Sequence, residues 1–289
     1  EVATAAFLNS DLAIYETVRK ENDDAANQTH YIQKYSRFPL YENEFAEYLP
    51  SGEIKYQRLQ QELQNAEKYI FMEYFIISEG VMWGSVLEIL EEKAREGVDV
   101  RLIYDDAGCI ASLPMNYHKK LEKAGIKCCV FNPVNPVLTL RHNNRDHRKI
   151  AVIDGKTAFT GGVNLADEYI NAYEKYGQWK DSAIMIRGEA VWSFVVMFLT
   201  MWSYLRGKNE DIEAFRPKAD VRTAETDDLP RKDGYIQPYS DSPLDKEMLA
   251  ETIYFNLINK AKKYVYIMTP YLIVSNEMVV ALCVAAKSG

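Results

Sequence analysis

The sequence contains few cysteines, and none stands in a pattern typical of metal binding. The four are Cys109, Cys128, Cys129 and Cys283, without a Cys-x-x-Cys pair or a zinc-ligand spacing. Cys128 and Cys129 fall in an apolar run, which is typical of buried strand residues. This usage favours a reduced compartment over an oxidising one.

The sequence also lacks a hydrophobic run long enough to cross a membrane. Its most apolar segment, residues 191–205, has about 15 residues, whereas a spanning helix needs roughly 20. The segment is apolar nearly all round, which predicts a central buried helix. The chain begins at Glu1 rather than Met, so an N-terminal membrane anchor ahead of it is compatible with the sequence.

An excess of positive charge is absent as well. The chain has 34 basic and 42 acidic residues, a formal net charge of −8. A general nucleic-acid-binding protein usually has a basic face or a basic total, so this balance argues against nucleic acid as a partner. It gives no global attraction to an anionic membrane either. A phosphate substrate stays compatible, because one local basic cluster can bind it.

What the sequence does contain is a regular alternation of helix and strand patterns. Expected helices lie near 52–66, 86–94 and 117–124, and expected strands at 69–77, 98–104 and 126–131. This alternation predicts an α/β fold with helices on both faces of the sheet. Asp154-Gly155 is a hairpin signal between strands at 149–154 and 157–160, so the sheet is expected to be mixed.

An internal repeat suggests a duplicated architecture. Residues 66–72, Ala-Glu-Lys-Tyr-Ile-Phe-Met, resemble residues 261–267, Ala-Lys-Lys-Tyr-Val-Tyr-Ile, and each copy follows an amphipathic helix and predicts a strand. The second copy stops before its next strand. We therefore expect an N-terminal arm over residues 1–40, a first domain over 41–233 and a truncated second domain over 234–289.

The segment with the clearest chemistry contains His147 and Lys149. Side chains two residues apart on a strand point the same way, so this imidazole and this ammonium group are expected side by side. Lys149 supplies a compact positive charge for a phosphate oxygen. His147, with an ordinary pKa near 6.5, is largely a free base at neutral pH and can attack phosphorus. The pair predicts a site for a phosphate ester.

Four residues that follow the pair extend the predicted site. Gly161 and Gly162 allow the backbone to approach a ligand closely. Asn164 offers an amide donor to a phosphate oxygen and has the position of an N-cap for a helix starting at Leu165. Asp154, like the acidic member of a serine triad, is expected to orient a catalytic imidazole.

These residues resemble the signature of the phospholipase D superfamily. Its HxKxxxxD motif matches His147, Lys149 and Asp154, and its GxxN element matches Gly161, Gly162 and Asn164. Further segments resemble bacterial cardiolipin synthases more than the nucleases of the superfamily, namely 73–77, 104–106, 165–171 and 179–181. The resemblance covers the chain from about Tyr41 onward.

The resemblance implies a function and a second half-site. Family members join two phosphatidylglycerol molecules into cardiolipin, with one histidine forming a phosphohistidine and a second histidine donating a proton to the leaving alcohol. This sequence has one such motif. The second is expected beyond Gly289 or in a second copy of the chain, as a homodimer. The implied location is the bacterial cell membrane at its cytoplasmic face, with phosphatidylglycerol and the membrane surface as partners.

No cofactor and no metal are expected. His142, Asp146 and His147 include metal-binding side chains, but a loop followed by a strand is poor ligand geometry. Two alternatives stay open at this point. One is a phospholipase D or nuclease that hydrolyses another phosphodiester, and the other is a non-catalytic membrane-associated module. Whether His147 is the nucleophile or the general acid, and which imidazole Asp154 orients, are also open.

Overall fold

A computed structural model describes residues 12–43, 45–134, 144–217, 233–241, 247–271 and 273–288. The chain divides into two compact units. One is built from Tyr41–Ile236, and the other from Asn9–Leu40 together with Gln237–Gly289. Residues 135–143 lie outside the described part of the chain, and with them His142.

The first unit is built on a mixed sheet of seven strands. Its strands are β2 (Phe45–Leu49), β3 (Tyr69–Tyr74), β4 (Asp99–Asp105), β5 (Lys127–Phe131), β6 (Ile150–Ile153), β7 (Thr157–Gly161) and β8 (Ala183–Arg187). They are ordered β2-β8-β7-β6-β3-β4-β5. The β3–β4 and β4–β5 pairs are parallel and all other pairs are antiparallel. The predicted α/β class with a mixed sheet is confirmed.

Helices connect and cover these strands. They are α3 (Gly52–Gln64), α4 (Val81–Arg95), the short α5 (Asp106–Cys109), α6 (Tyr117–Lys123) and α7 (Val191–Arg206), with 3-10 turns at Asp167–Ile170 and Ile212–Phe215. Two short strands, β1 (Tyr41–Glu42) and β9 (Tyr235–Ile236), form a separate antiparallel pair.

Both faces of the sheet are covered, as predicted. Phe71 of β3 stacks on Phe198 of α7, with ring centroids 4.7 Å apart. Its neighbours Ile70 and Met72 point to the opposite face and join one buried core with α3 and α4. Leu59 of α3 is completely buried there, which contributes about 1.5–3 kcal/mol.

Local sequence signals explain several boundaries. The Ser51 hydroxyl accepts the Ile54 N–H at 3.4 Å and caps α3. Asp154 and Gly155 have φ values of 53° and 66°, which fit the tight turn predicted between β6 and β7. The apolar helix α7 is buried along most of its length, as expected. Within the described residues, no helix is both long and apolar enough to cross a membrane.

The second unit contains helices in its described residues. They are α1 (Leu12–Glu21), α2 (Asp23–Ser36), α8 (Leu249–Lys260) and α9 (Asn276–Ser288). The expected N-terminal arm thus includes two helices, and the Asn22 side chain caps the second by accepting the Ala25 N–H at 3.1 Å. An ion pair of 2.9 Å between Lys260 and Asp24 links α8 to α2.

The strand expected in the second repeat copy is not observed. Residues 261–271 form neither helix nor strand, and Tyr264 and Tyr266 are exposed and stack on each other with centroids 4.8 Å apart. A strand requires a neighbour for its N–H and C=O groups, and no described residue of this unit supplies one. The duplicated architecture and the domain limits stay predictions.

Candidate active site at one edge of the sheet

The strand directions bring the predicted site residues to one edge of the sheet. Because β3, β4 and β5 are parallel, their carboxyl ends share this edge. The antiparallel partners β6 and β8 begin there, and β7 and β2 end there. This edge therefore carries Lys55, Phe75, Asp105, His147, Lys149, Gly161, Gly162, Asn164 and Asp181.

The imidazole of His147 and the ammonium group of Lys149 lie against one ring. The centroid of the Phe75 ring is 4.7 Å from that of His147 and 5.3 Å from Lys149 Nζ. Lys149 is buried and its Nζ donates to the carbonyl oxygen of His147 at 2.5 Å, whereas the His147 side chain is exposed. The structure thus brings His147 and Lys149 together, and both side chains contact the ring of Phe75.

The surroundings of the pair favour the neutral form of the imidazole. Partial desolvation, and next the charge of Lys149, lower the pKa of His147 below its ordinary 6.5, while Asp146 and Asp105 oppose this. Burial lowers the pKa of Lys149 to about 8, opposed mainly by Asp146 and Asp181. At neutral pH the site therefore combines a neutral imidazole with a largely protonated lysine.

Backbone contacts hold Phe75 in place. The next residue, Ile76, donates its N–H to Asn164 Oδ1 at 2.9 Å. The thiol of Cys109 donates to the Phe75 carbonyl oxygen at 3.5 Å, and a Cβ on Gly108 would lie 2.0 Å from the same oxygen. The backbone of Phe75, and with it the ring that contacts His147 and Lys149, is thereby positioned by α5 and by the segment after β7.

The predicted capping role of Asn164 is wrong. The turn that follows is a 3-10 helix over Asp167–Ile170, preceded by Ala166 without a side-chain cap. Asn164 is buried, and its Nδ2 donates to the Tyr169 hydroxyl at 2.7 Å. The amide NH2 group of Asn164 has a second proton that this bond does not use. The role of Asn164 as a donor to a phosphate oxygen therefore stays a prediction.

Gly161 and Gly162 make room for protein atoms. A Cβ on Gly161, which has a φ of 153°, would lie 2.5 Å from the Ser182 carbonyl oxygen. A Cβ on Gly162 would lie 2.1 Å from Asp181 Oδ1. The close approach expected for a ligand is therefore made by residues 181–183, and the two glycines allow Asp181 to reach the site.

Asp154 lies at the opposite edge of the sheet. Its carboxylate accepts the backbone N–H groups of Glu67, Lys68 and Tyr69 at 2.8, 2.7 and 2.9 Å. At about 3.3 Å per residue, the intervening strand places it roughly 20 Å from His147. Asp154 therefore cannot orient the imidazole of His147, and it joins the start of β3 to the β6–β7 turn.

A buried charge cluster supports the segment before β6. Arg148 contacts the Glu73 carboxylate at 2.6 Å and Asp146 at 3.2 Å. Burial raises the pKa of Glu73 well above its ordinary value, and the charge of Arg148 opposes that shift. The backbone N–H of Asp146 donates to Asp105 Oδ2 at 2.9 Å. Among the residues that the structure describes, no group of three or more acidic, histidine or cysteine residues could hold a metal ion.

Sequence reasoning did not assign functions to several of these residues. Phe75 and Asp181 stood in segments noted for their family resemblance, and Lys55 in an ordinary helix start. Nothing local distinguishes them, because only the strand order brings them to the edge of the sheet that carries His147. An aromatic residue directly after a buried strand end was the one signal available for Phe75.

The architecture is that of the phospholipase D-like class. The fold is similar to a crystal structure of phosphatidylserine synthase from Haemophilus influenzae Rd KW20, with a TM-score of 0.61 and 17% identity, covering 91% of this chain and 64% of that one. A family model described as "Cardiolipin synthase, PLD-like domain" matches residues 59–192. The chain belongs to this phospholipase D-like, cardiolipin synthase family.

Curated relatives agree with this assignment. A cardiolipin synthase of Alkalihalophilus pseudofirmus is 34% identical over 257 residues, which cover 89% of this chain and 50% of the relative. An uncharacterized protein of Streptococcus mutans is 46% identical over 287 residues, which cover 99% of this chain and 60% of that protein. The chain thus spans between half and three fifths of the length of these two relatives.

Proposed function

We propose that the protein is a phosphatidyltransferase that makes cardiolipin from two phosphatidylglycerol molecules, with this chain supplying one half of the active site. The observation that carries the proposal is the placement of His147 and Lys149 on the ring of Phe75. An exposed, neutral imidazole beside a buried ammonium group suits attack on a phosphodiester.

In the first step, an imidazole nitrogen of His147 bonds to phosphorus and the bond to the glycerol oxygen breaks. The leaving glycerol oxygen takes a proton from a general acid, which a second histidine supplies. In the second step, the hydroxyl of another phosphatidylglycerol attacks phosphorus, its proton returns to that base, and the phosphohistidine bond breaks. The site is neither oxidised nor reduced, and cardiolipin and glycerol are the products.

Charge stabilisation is assigned to the residues around the histidine. Lys149 and the remaining amide proton of Asn164 stabilise the negative charge on the non-bridging phosphoryl oxygens. The family resemblance to cardiolipin synthases supports the choice of phosphatidylglycerol as substrate.

A membrane-bound substrate fits the side chains around this edge. Val81, Ile110 and Met115 follow β3 and β4 at the edge that carries His147, and they are 65, 61 and 93% exposed. Apolar side chains presented next to a phosphate site suit a lipid whose acyl chains stay in the bilayer. We place the site at the cytoplasmic face of the bacterial cell membrane, with phospholipid rather than nucleic acid as the partner.

The direct test supplies phosphatidylglycerol in mixed micelles to the protein at its full natural length. We expect cardiolipin and glycerol by mass spectrometry, and a phosphatidyl adduct on His147 after rapid acid quenching. His147→Ala should abolish both products, whereas His30→Ala, an exposed histidine of α2, should retain them. EDTA should leave the rate unchanged.

The same assay separates the alternatives. Phosphatidic acid without cardiolipin would show that water is the acceptor, and cleavage of plasmid DNA without a lipid product would show a nuclease. Either result overturns the proposal, as does unchanged turnover in His147→Ala. Sedimentation of this chain alone then tests the second half-site, because it shows whether two copies pair. As a monomer, this chain should be inactive.

A further inference from the structure

Lys55 is a buried cation with spare hydrogen-bonding capacity. It lies in the first turn of α3 and is 2% exposed. Its Nζ donates to the Tyr74 hydroxyl at 2.9 Å and lies 4.8 Å from the centroid of the Tyr74 ring. An ammonium group has three donors. Within the described residues one is used, and the acceptor is neutral.

The opposite charge that acts on Lys55 is Asp181. It raises the pKa of Lys55, but burial is the larger effect and lowers that pKa to about 7. Asp181 also acts on Lys149. Lys149 is also acted on by Asp146 and Asp105, whereas Asp181 is the carboxylate that acts on Lys55. Among the described residues, Lys55 forms no ion pair within 4 Å, so Asp181 acts on it from a greater distance.

A structural role explains this arrangement poorly. A buried lysine without a direct counter-ion costs stability, and an apolar side chain of similar length would fill the same space without that cost. Tyr74 needs one partner for its hydroxyl, which a neutral group could supply. A buried ammonium group that has no ion-pair partner among the described residues, and that keeps two spare donors, instead suits an anion that arrives at this edge.

We propose that Lys55 is a further substrate-binding residue, whose buried ammonium group donates to the negatively charged phosphodiester. The inference rests on the proposed function, because it takes the same ligand to the same edge. Lys149 lies beside the histidine, Lys55 lies in the first turn of α3, and Asp181 acts on both lysines.

Binding should then be coupled to protonation. Near pH 7 about half of the Lys55 side chains are neutral in the free protein. An anion favours the charged form, so its binding should draw roughly half a proton per site from the buffer. This uptake is a readout that a merely structural lysine would not produce.

The experiment is calorimetry with short-chain phosphatidylglycerol below its critical micelle concentration. It uses the full-length protein with His147→Asn, which blocks turnover, at pH 7 in buffers of different ionisation enthalpy. Adding Lys55→Met should weaken binding at least about 10-fold and remove most of the proton uptake. Tyr74→Phe removes the hydrogen-bond acceptor, keeps the charge of Lys55 and should retain both.

Thermal unfolding is the control that the variant is folded. In it, Lys55→Met should be at least as stable as its parent. Unchanged affinity and unchanged proton uptake in Lys55→Met would overturn the inference. If the His147→Asn protein binds inorganic phosphate in a Lys55-dependent manner but the protein with His147 intact makes no cardiolipin, Lys55 is supported and the proposed function is overturned. Normal cardiolipin synthesis by Lys55→Met at low substrate concentration would support the proposed function and overturn the inference about Lys55.

Discussion

The carboxylate of Asp154 accepts the backbone N–H of Tyr69 at 2.9 Å, at the edge of the sheet opposite to His147. It accepts two further N–H groups from Glu67 and Lys68. The acidic member of the HxKxxxxD motif is thus separated from the imidazole by the length of β6. Its task in this fold is to satisfy buried donors where β3 begins.

Asp154→Ala should therefore reduce the stability of the fold rather than the catalytic rate. Three N–H groups lose their acceptor, and that of Tyr69 is buried, where an unsatisfied donor costs about 1–3 kcal/mol. We expect a loss of about 1–3 kcal/mol in urea unfolding, and a smaller loss for Asp154→Asn, which keeps one carbonyl oxygen. The folded fraction should have an unchanged pH profile of kcat. A shifted pH profile of kcat together with unchanged stability would show that Asp154 takes part in catalysis.

The sequence was informative where the determining interactions are local. His147 and Lys149 are two residues apart, and the Asp154-Gly155 turn depends on two adjacent φ angles, so pattern and spacing predicted both. The reach of Asp154 to Tyr69 spans 85 positions and depends on β3 pairing with β6. The same holds for Asp181 against Gly162, since β7 must first pair with β8. Spacing alone could not distinguish an orienting carboxylate from a structural one.

The pH dependence of kcat/KM should identify the role of His147. A nucleophile must be a free base, and the pKa of His147 is lowered below 6.5. The kcat/KM value should therefore rise with pH through a value below 6.5. It should fall again in two steps, near pH 7 where Lys55 loses its proton and near pH 8 where Lys149 does. Rates on a soluble phosphatidylglycerol from pH 5 to 10 measure both limbs.

Lys149→Arg provides the matched control for the upper limb. Arginine stays protonated, so the fall near pH 8 should disappear from any remaining activity, while the fall near pH 7 that Lys55 causes should stay. Activity that instead falls as pH rises through the pKa of His147 would identify this residue as the general acid. The nucleophile would then have to be the second histidine.

Lys55→Met should change how stability depends on pH. The folded pKa of Lys55 is about 7 and its ordinary value is 10.5, so between these values the unfolded chain binds more protons. The unfolding free energy of the parent should rise relative to Lys55→Met across this window, by up to ~1.4 kcal/mol per pH unit. Below about pH 7 the difference should be constant, with the methionine variant more stable.

Urea unfolding at pH 6, 7.5 and 9 measures this difference. Lys119→Met replaces an exposed lysine of α6 and should leave the difference from the parent nearly independent of pH. A Lys55→Met variant that tracks the parent at all three values would mean that Lys55 keeps its ordinary pKa in the folded protein.

Gly162→Ala should disturb the site through Asp181. The added Cβ would lie 2.1 Å from Asp181 Oδ1, a separation that real side chains do not tolerate, so the carboxylate must move. Moving it weakens its interaction with both Lys149 and Lys55, whose pKa values it raises. We expect the upper limb of the pH profile to shift to lower pH and stability to fall by about 1–3 kcal/mol.

Gly84→Ala is the matched control, because nothing lies within 4 Å of a Cβ at this position inside α4. A helix-interior glycine replaced by alanine should gain about 0.5–1 kcal/mol, with an unchanged pH profile. If Gly162→Ala lowered stability but left the upper limb in place, Asp181 would be a packing residue. The carboxylate of Asp181 would then not determine the pKa values of Lys149 and Lys55.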